Sequence, residues 1–285
     1  MGNPKLVFIL ILLLAMAWSA AKNPPAKNGF SYAPYEPPKE TFNAGYGFKN
    51  GYEEVGKKNE TGAVNSSLAK NIYLSAYGWS TDPSSEYLTL TLDSYHKEKV
   101  LITGFEVKSA VTGKGTLIPK GVDLPFAGQI NYESPIFIDP GDTVVLVTGR
   151  SPIGYSFKVN KCTGYFEQFQ DFTPQLRQEC PAPMNHELAQ KFGYFNDACL
   201  GYLQTIPSCN MPLNNIPLYL QSECRSFVDE KLNYKSCVEE HKNDRDFYKK
   251  EWRVYLGQNE ELWKDRREII RLLDLNKKII GSATY

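Results

Sequence analysis

Apolar and polar positions alternate over much of the chain's middle and end. Ile72, Leu74 and Ala76 recur at every second position, and Leu88, Leu90 and Leu92 do the same within Glu86-Tyr-Leu-Thr-Leu-Thr-Leu. A period of two is the spacing of one face of a β-strand. Val100-Leu-Ile-Thr-Gly-Phe-Glu-Val, Gly115-Thr-Leu-Ile and Ile136-Phe-Ile continue the pattern. Asp139-Pro-Gly-Asp reads as a turn, because Pro fixes φ and Gly tolerates positive φ. Thr143-Val-Val-Leu-Val-Thr has no polar alternation and reads as a fully buried strand. The texture returns in Glu251-Trp-Arg-Val-Tyr-Leu-Gly and Glu268-Ile-Ile-Arg-Leu-Leu-Asp. A turn at Asn276-Lys277 then leads into Lys278-Ile-Ile-Gly-Ser-Ala-Thr-Tyr. Short strands punctuated by Gly and Pro predict an antiparallel sandwich or barrel rather than βαβ units.

Two segments break this texture. Met1 to Lys5 carries one positive charge, and sixteen residues from Leu6 to Ala21 follow with small residues before a cut after Ala21. The run is short of the roughly 20 residues that span a bilayer. It is expected to be a signal peptide or an N-terminal membrane anchor over residues 1–21, which places the remainder outside the cytoplasm. Residues 22–69 hold Asn23-Pro-Pro-Ala and Tyr35-Glu-Pro-Pro among scattered aromatics and read as a tether. Asn59-Glu-Thr and Asn65-Ser-Ser match the N-glycosylation acceptor.

The second break is residues 161–248, which contain all six cysteines. An even, clustered count in an exported chain predicts three disulfides. Cys199 to Cys209 and Cys224 to Cys237 lie in helix-compatible stretches. Asn196-Asp197 can cap the first. The second runs over 221–243, with Cys224, Phe227, Val228, Leu232, Cys237 and Val238 as its apolar positions and Asn233 as a candidate break. If the two helices are antiparallel, nested pairing gives Cys199–Cys237 and Cys209–Cys224 and leaves Cys162–Cys180. The rival scheme pairs Cys199 with Cys209 and Cys224 with Cys237.

The order of Glu86-Tyr-Leu-Thr-Leu, Ile102-Thr-Gly-Phe-Glu-Val-Lys, Leu117-Ile-Pro-Lys-Gly, Ile138-Asp-Pro-Gly-Asp and Ile270-Arg-Leu-Leu-Asp-Leu-Asn-Lys-Lys-Ile-Ile resembles the lamin tail domain. Phe105 stands where that family usually has Trp. As a whole the chain resembles exported lamin-tail proteins of candidate-phylum bacteria, which also carry a cysteine-bearing insertion. The resemblance implies an immunoglobulin-like antiparallel β-sandwich, in a mainly β chain with a cysteine-rich, partly α-helical insertion. The sandwich would comprise residues 70–160 and 249–285 around the insertion at 161–248. The resemblance implies roles in binding and tethering and supplies no catalytic residues.

Chemistry is thin. Lys+Arg and Asp+Glu are both 32, and the zero net charge disfavours a nucleic-acid binder, which needs a positive surplus. No Cys-x2-Cys occurs, and the nearest approach to zinc spacing is Cys237-x3-His241. His96 and His186 fall in turns or loops. Paired cysteines leave no thiol nucleophile, and no Gly-x-Ser-x-Gly is present. Gly113-Lys-Gly-Thr is a hairpin turn rather than a phosphate cradle. Asp123, Asp139 and Asp142 read as turn-forming, solvated acids. No cofactor and no metal is implied. The stretches around Trp252 and Trp263 are dense in charge and aromatics; they read first as amphipathic β structure with Trp252 or Trp263 buried and the charges solvated, and Trp252, Arg253, Trp263, Arg266 and Arg267 form the candidate binding surface of the alternative, suited to an anionic glycan. The expectation is an exported, non-enzymatic binding or scaffolding protein of the cell envelope. Its partner would be an envelope protein or glycan, with no nucleic acid, and membrane contact would come only through the N-terminal segment. The alternative is an extracellular hydrolase, or an accessory module of one, acting on nucleic acid or polysaccharide.

Overall fold

The computed structural model describes residues 67–77, 82–191, 193–213, 216–264 and 266–284. The N-terminal segment, residues 22–66 of the tether expected over 22–69, and the asparagines of both glycosylation acceptors lie outside the described residues. Among those described, no helix is long and apolar enough to cross a membrane.

The chain enters through a 3-10 turn (Ser67–Lys70) and forms β1 (Ile72–Tyr77) and β2 (Tyr87–Leu92). Next come β3 (Val100–Leu101), β4 (Glu106–Ser109), β5 (Gly115–Leu117), β6 (Phe137–Ile138), β7 (Thr143–Val147) and β8 (Phe157–Asn160). The insertion begins with a 3-10 segment (Thr163–Gln168). It continues through α1 (Glu187–Gln190), α2 (Asp197–Thr205), α3 (Ser222–Lys231) and α4 (Tyr234–His241). β9 (Tyr248–Tyr255), β10 (Ile269–Leu273) and β11 (Ile279–Thr284) complete the described chain.

Most of the expected strands form, with two refinements. Val100–Val107 is two strands rather than one. Gly104 takes φ +88° and Phe105 N donates to Ile102 O, so the chain turns out of β3 and enters β4 in a different sheet. β8 went unforeseen, because Phe157-Lys-Val-Asn is too short to show a period.

A five-stranded sheet has the order β1-β2-β7-β9-β8, a four-stranded sheet the order β11-β10-β4-β5, and β3 pairs with β6. The final hairpin joins the earlier strands through β10 and β4. One pairing departs from an all-antiparallel sheet: β7 and β9 run parallel. β7 and β8 leave a slot between them, and β9, arriving after the long insertion, fills it antiparallel to β8.

The two large sheets share one apolar core. Leu88, Leu90, Leu92, Val144, Leu146, Trp252 and Val254 pack with Val107, Ile270, Leu272 and Ile280. The other face of the five-stranded sheet is also covered. Val145, Val147, Phe157, Val159 and Tyr255 lie under Phe166, Phe172 and Leu176 of the insertion. Burial on both faces explains why Thr143-Val-Val-Leu-Val lacks alternation.

The insertion's six cysteines are all paired, as Cys162–Cys237, Cys180–Cys209 and Cys199–Cys224. Such bonds belong to an oxidising, extracellular setting. Neither expected scheme occurs: the pairings Cys162–Cys180, Cys199–Cys237 and Cys209–Cys224 are all replaced. The nested scheme treats 221–243 as one helix. Asn233 instead breaks it and caps α4, accepting from Ser236 N at 3.0 Å. α3 can then set Cys224 on Cys199 of α2 within one apolar cluster. α4 carries Cys237 back to Cys162 at the end of β8. Cys209, past the end of α2 in the left-handed region (φ 60°), reaches the loop at Cys180. The cap foreseen on α2 does form, with Asn196 Oδ1 accepting from Cys199 N at 2.9 Å.

Candidate functional site

The candidate surface read from sequence does not assemble. Trp252 is only 2% exposed and Trp263 only 3%, so neither ring can stack on a sugar. Trp252 points into the core between the sheets, and the Lys158 ammonium lies 5.8 Å from its ring centroid. Arg253 points the other way along β9 and is buried beneath the insertion. It donates to Glu251 Oε1 at 2.6 Å, to Gln175 O at 3.1 Å and to Pro174 O. That makes it a tie between sheet and insertion. Arg266 and Arg267 are exposed in the turn before β10, and the tryptophans among the described residues, Trp252 and Trp263, are both buried.

The structure forms an aromatic cleft elsewhere, at the seam between sandwich and insertion. It encloses about 250 Å³, with Phe126, Tyr165, Phe166, Phe169, Met211 and Tyr234 among its lining. Gln129, Asn233 and Lys235 also border it. Each wall is held by an amide side chain bonded to backbone. Asn131 brackets Phe126, accepting from its N–H at 3.0 Å and donating to its carbonyl at 2.9 Å. Gln168 does the same for Met211, at 2.8 and 2.7 Å. Asn233 caps α4 and so fixes Tyr234 at the first position of the helix. The Tyr234 ring packs 4.3 Å from Phe166 and edge-on to Phe126 at 5.8 Å, and its hydroxyl accepts from Asn160 Nδ2 at 3.2 Å.

These bonds hold the walls before any ligand arrives, which lowers the ordering cost of binding. Burial raises the Tyr165 phenol to about 12 and the Tyr234 phenol above its ordinary value, so both stay neutral. Among the described residues the lining offers apolar edges and phenol rings, with the amides of Gln129 and Asn233 and the Lys235 ammonium at its border, and holds no carboxylate or imidazole. Phe169 stands at the lip, 49% exposed. The signal missed in the sequence is the aromatic spacing of Tyr165-Phe-Glu-Gln-Phe169, which has no apolar run around it.

The titratable clusters nearby are spent on internal bonds. His186 lies 2.6 Å through Nε2 from Glu240, accepts at Nδ1 from Leu188 N at 3.2 Å, and meets the Phe227 ring edge-on. Burial lowers its pKa against the opposite pull of Glu240. His241 and Lys161 both bond Asp244, at 2.9 and 2.7 Å, and together hold that carboxyl below its usual range. A more polar cleft of about 380 Å³ includes Arg177, Glu179, Lys249, Lys250 and Glu251 in its lining. Glu179 sits between Arg177 (3.5 Å) and Lys249 (3.8 Å), which neutralises much of its charge internally. Among the described residues, no cluster of three or more His, Cys, Asp or Glu is arranged to hold a metal.

Against protein-family models, curated proteins and solved structures, the chain has no match.

Proposed function

We propose that this is an exported, non-enzymatic recognition protein of the cell surface or envelope, built on an immunoglobulin-like sandwich of the lamin-tail type. The seam cleft is its binding element, and its ligand is a segment of an envelope protein that inserts an aromatic, prolyl or aliphatic side chain. One observation carries this reading: an aromatic cleft whose walls are pinned in advance by Asn131, Gln168 and Asn233. Preformed, mostly apolar concavities are the usual form of binding sites. A peptide is favoured over a glycan because Phe126 meets Tyr234 edge to face. The rings enclose a notch and do not offer one flat face for a sugar.

The test is fluorescence anisotropy with two labelled panels, one of aromatic- and proline-bearing peptides and one of neutral and acidic oligosaccharides. At least one peptide class should bind, and Phe169→Ala should weaken it about tenfold, the range of a truncated interface anchor. Binding only to oligosaccharides, or peptide binding indifferent to Phe169, would overturn the reading.

A further inference from the structure

Of the described residues that line the seam cleft, Lys235 is the one that carries a charge. It stands at the second position of α4, after the Asn233 cap and Tyr234. The helix gains nothing from a cation there, because the first turn is its positive end and favours an acid. Inside the fold the ammonium meets one carboxylate among the described residues, Glu239 at 3.9 Å on the next turn. That separation is too long for a hydrogen bond. Both side chains are exposed, so the pair is worth little, and a second carboxylate can take over the ammonium at small cost.

The apolar surface also runs beyond the cleft. Phe126 and Gln129 belong to a loop that Asn131 closes. The Asn131 side chain donates to Phe126 O at 2.9 Å and to Gln129 O at 3.1 Å. Its backbone N–H donates to the Tyr155 hydroxyl at 3.3 Å, which in turn donates to Gln129 O at 3.1 Å. With Asn131 turned inward, its neighbours Ile130 and Tyr132 are held in water, at 99% and 89% exposure. Two large apolar side chains fixed in solvent beside an apolar cleft mark a surface that a partner covers. A small molecule filling about 250 Å³ leaves both wet, whereas a polypeptide crossing the cleft can reach them.

We infer, building on the peptide-binding role proposed for the cleft, that the segment it recognises is acidic: an aspartate or glutamate carboxylate, beside the side chain that enters between the rings, pairs with Lys235. Apolar contact supplies the affinity. Lys235 selects among apolar segments by attracting acidic ones and repelling basic ones.

Fluorescence anisotropy on the full chain tests this with two labelled peptides, both amidated at the C-terminus. They share a central aromatic residue and a proline and differ only in their flanks, glutamate in one and lysine in the other. The glutamate peptide should bind about tenfold more tightly, since the charge beside Lys235 is attractive in one and repulsive in the other. The preference should shrink as salt is raised, because the pair is exposed. Lys235→Ala should level the two peptides. Lys235→Glu should reverse their order, which a misfolded variant could not do, and an acid suits the first turn of α4. Equal binding of the two peptides to the wild type, with both weakened by Phe169→Ala, leaves the cleft as a peptide site and overturns its acidic preference. A glutamate preference that persists in Lys235→Ala and Lys235→Glu overturns it as well. Binding of neither peptide overturns the peptide-binding role, and the acidic preference with it.

Discussion

The sandwich and the insertion are held together by different means. The main core gathers buried side chains from Ile72 to Ile280, drawn from all three sheets, with no disulfide among them. The insertion divides its apolar residues among smaller clusters: Cys199 and Cys224 lie in one, Cys162, Cys180, Cys209 and Cys237 in another, and Phe166, Phe172 and Leu176 pack on the five-stranded sheet. The difference follows from the elements available. Two sheet faces can bury a continuous apolar layer between them. Helices of eight to ten residues, such as α2, α3 and α4, are too short to be stable alone and need tertiary contacts or cross-links. Burial of apolar area stabilises the first region, and restriction of the unfolded chain stabilises much of the second.

The largest expected effect comes from removing the longest bridge. Cys162 and Cys237 are 75 residues apart in sequence, and a loop of that length is worth about 4.5 kcal/mol in the chain-entropy account. Cys162→Ser with Cys237→Ser should open the insertion while β2 and β7 keep their protection. Hydrogen exchange with mass spectrometry reads both regions at once. If β2 and β7 lose protection together with α3 and α4, the two regions form one cooperative unit and the contrast fails.

Leu90→Ala tests the contrast from the other side. Leu90 is fully buried in the main core, and truncation there costs about 3 kcal/mol. The effect should appear as a lower denaturation midpoint for the sandwich. The Cys199–Cys224 cluster, which packs apart from that core, should exchange as before under conditions where the sandwich is still folded. Faster exchange in α2 and α3 would show that the insertion depends on the sandwich core.

How much of this was legible in the sequence follows the range of the interactions. Leu88, Leu90 and Leu92 announced their strand because burial on one face imposes a local period. Asp139-Pro-Gly-Asp announced its turn, and Asn196 its cap, because both are contacts within a few residues. Asn233 was visible as a break, but its consequence was not. Once the helix divides there, every cysteine partner changes. The orientation of β9 was hidden for a similar reason. Trp252 and Arg253 face opposite sides of a sheet covered on both sides, so Trp252 is buried as an amphipathic strand requires, while Arg253, whose charge reads as solvated, is interior as well. The cleft draws on Phe126, on Tyr165 to Phe169, on Met211 and on Tyr234. Four separate segments meet there, and no period in one dimension records such a meeting.

The smallest effect concerns a polar tie on the apolar side of the comparison. Glu86 is buried at the start of β2 and accepts from Leu262 N at 3.1 Å and Trp263 N at 3.4 Å, which fastens the β9–β10 connection to the sandwich. Burial raises its pKa, the charge of Glu261 adds to the rise, and the two N–H donors pull against it. A carboxyl whose folded pKa lies above its unfolded value binds its proton more tightly in the folded chain. Its contribution is fully present below the ordinary value of 4.5 and is lost as the pH climbs through the raised one. Exposed acids run the other way: Asp244 and Asp246, held low by Lys161, stabilise at neutral pH and cease to do so in acid. The two trends overlap in the wild type, so the difference from Glu86→Gln isolates the buried group. The substituted amide keeps one acceptor oxygen and cannot ionise. Urea midpoints taken from about pH 4 to pH 7 should therefore fall for the wild type relative to Glu86→Gln as pH rises. Parallel curves would mean that Glu86 ionises without cost in its folded setting, and that this corner of the sandwich is wetter than its burial indicates.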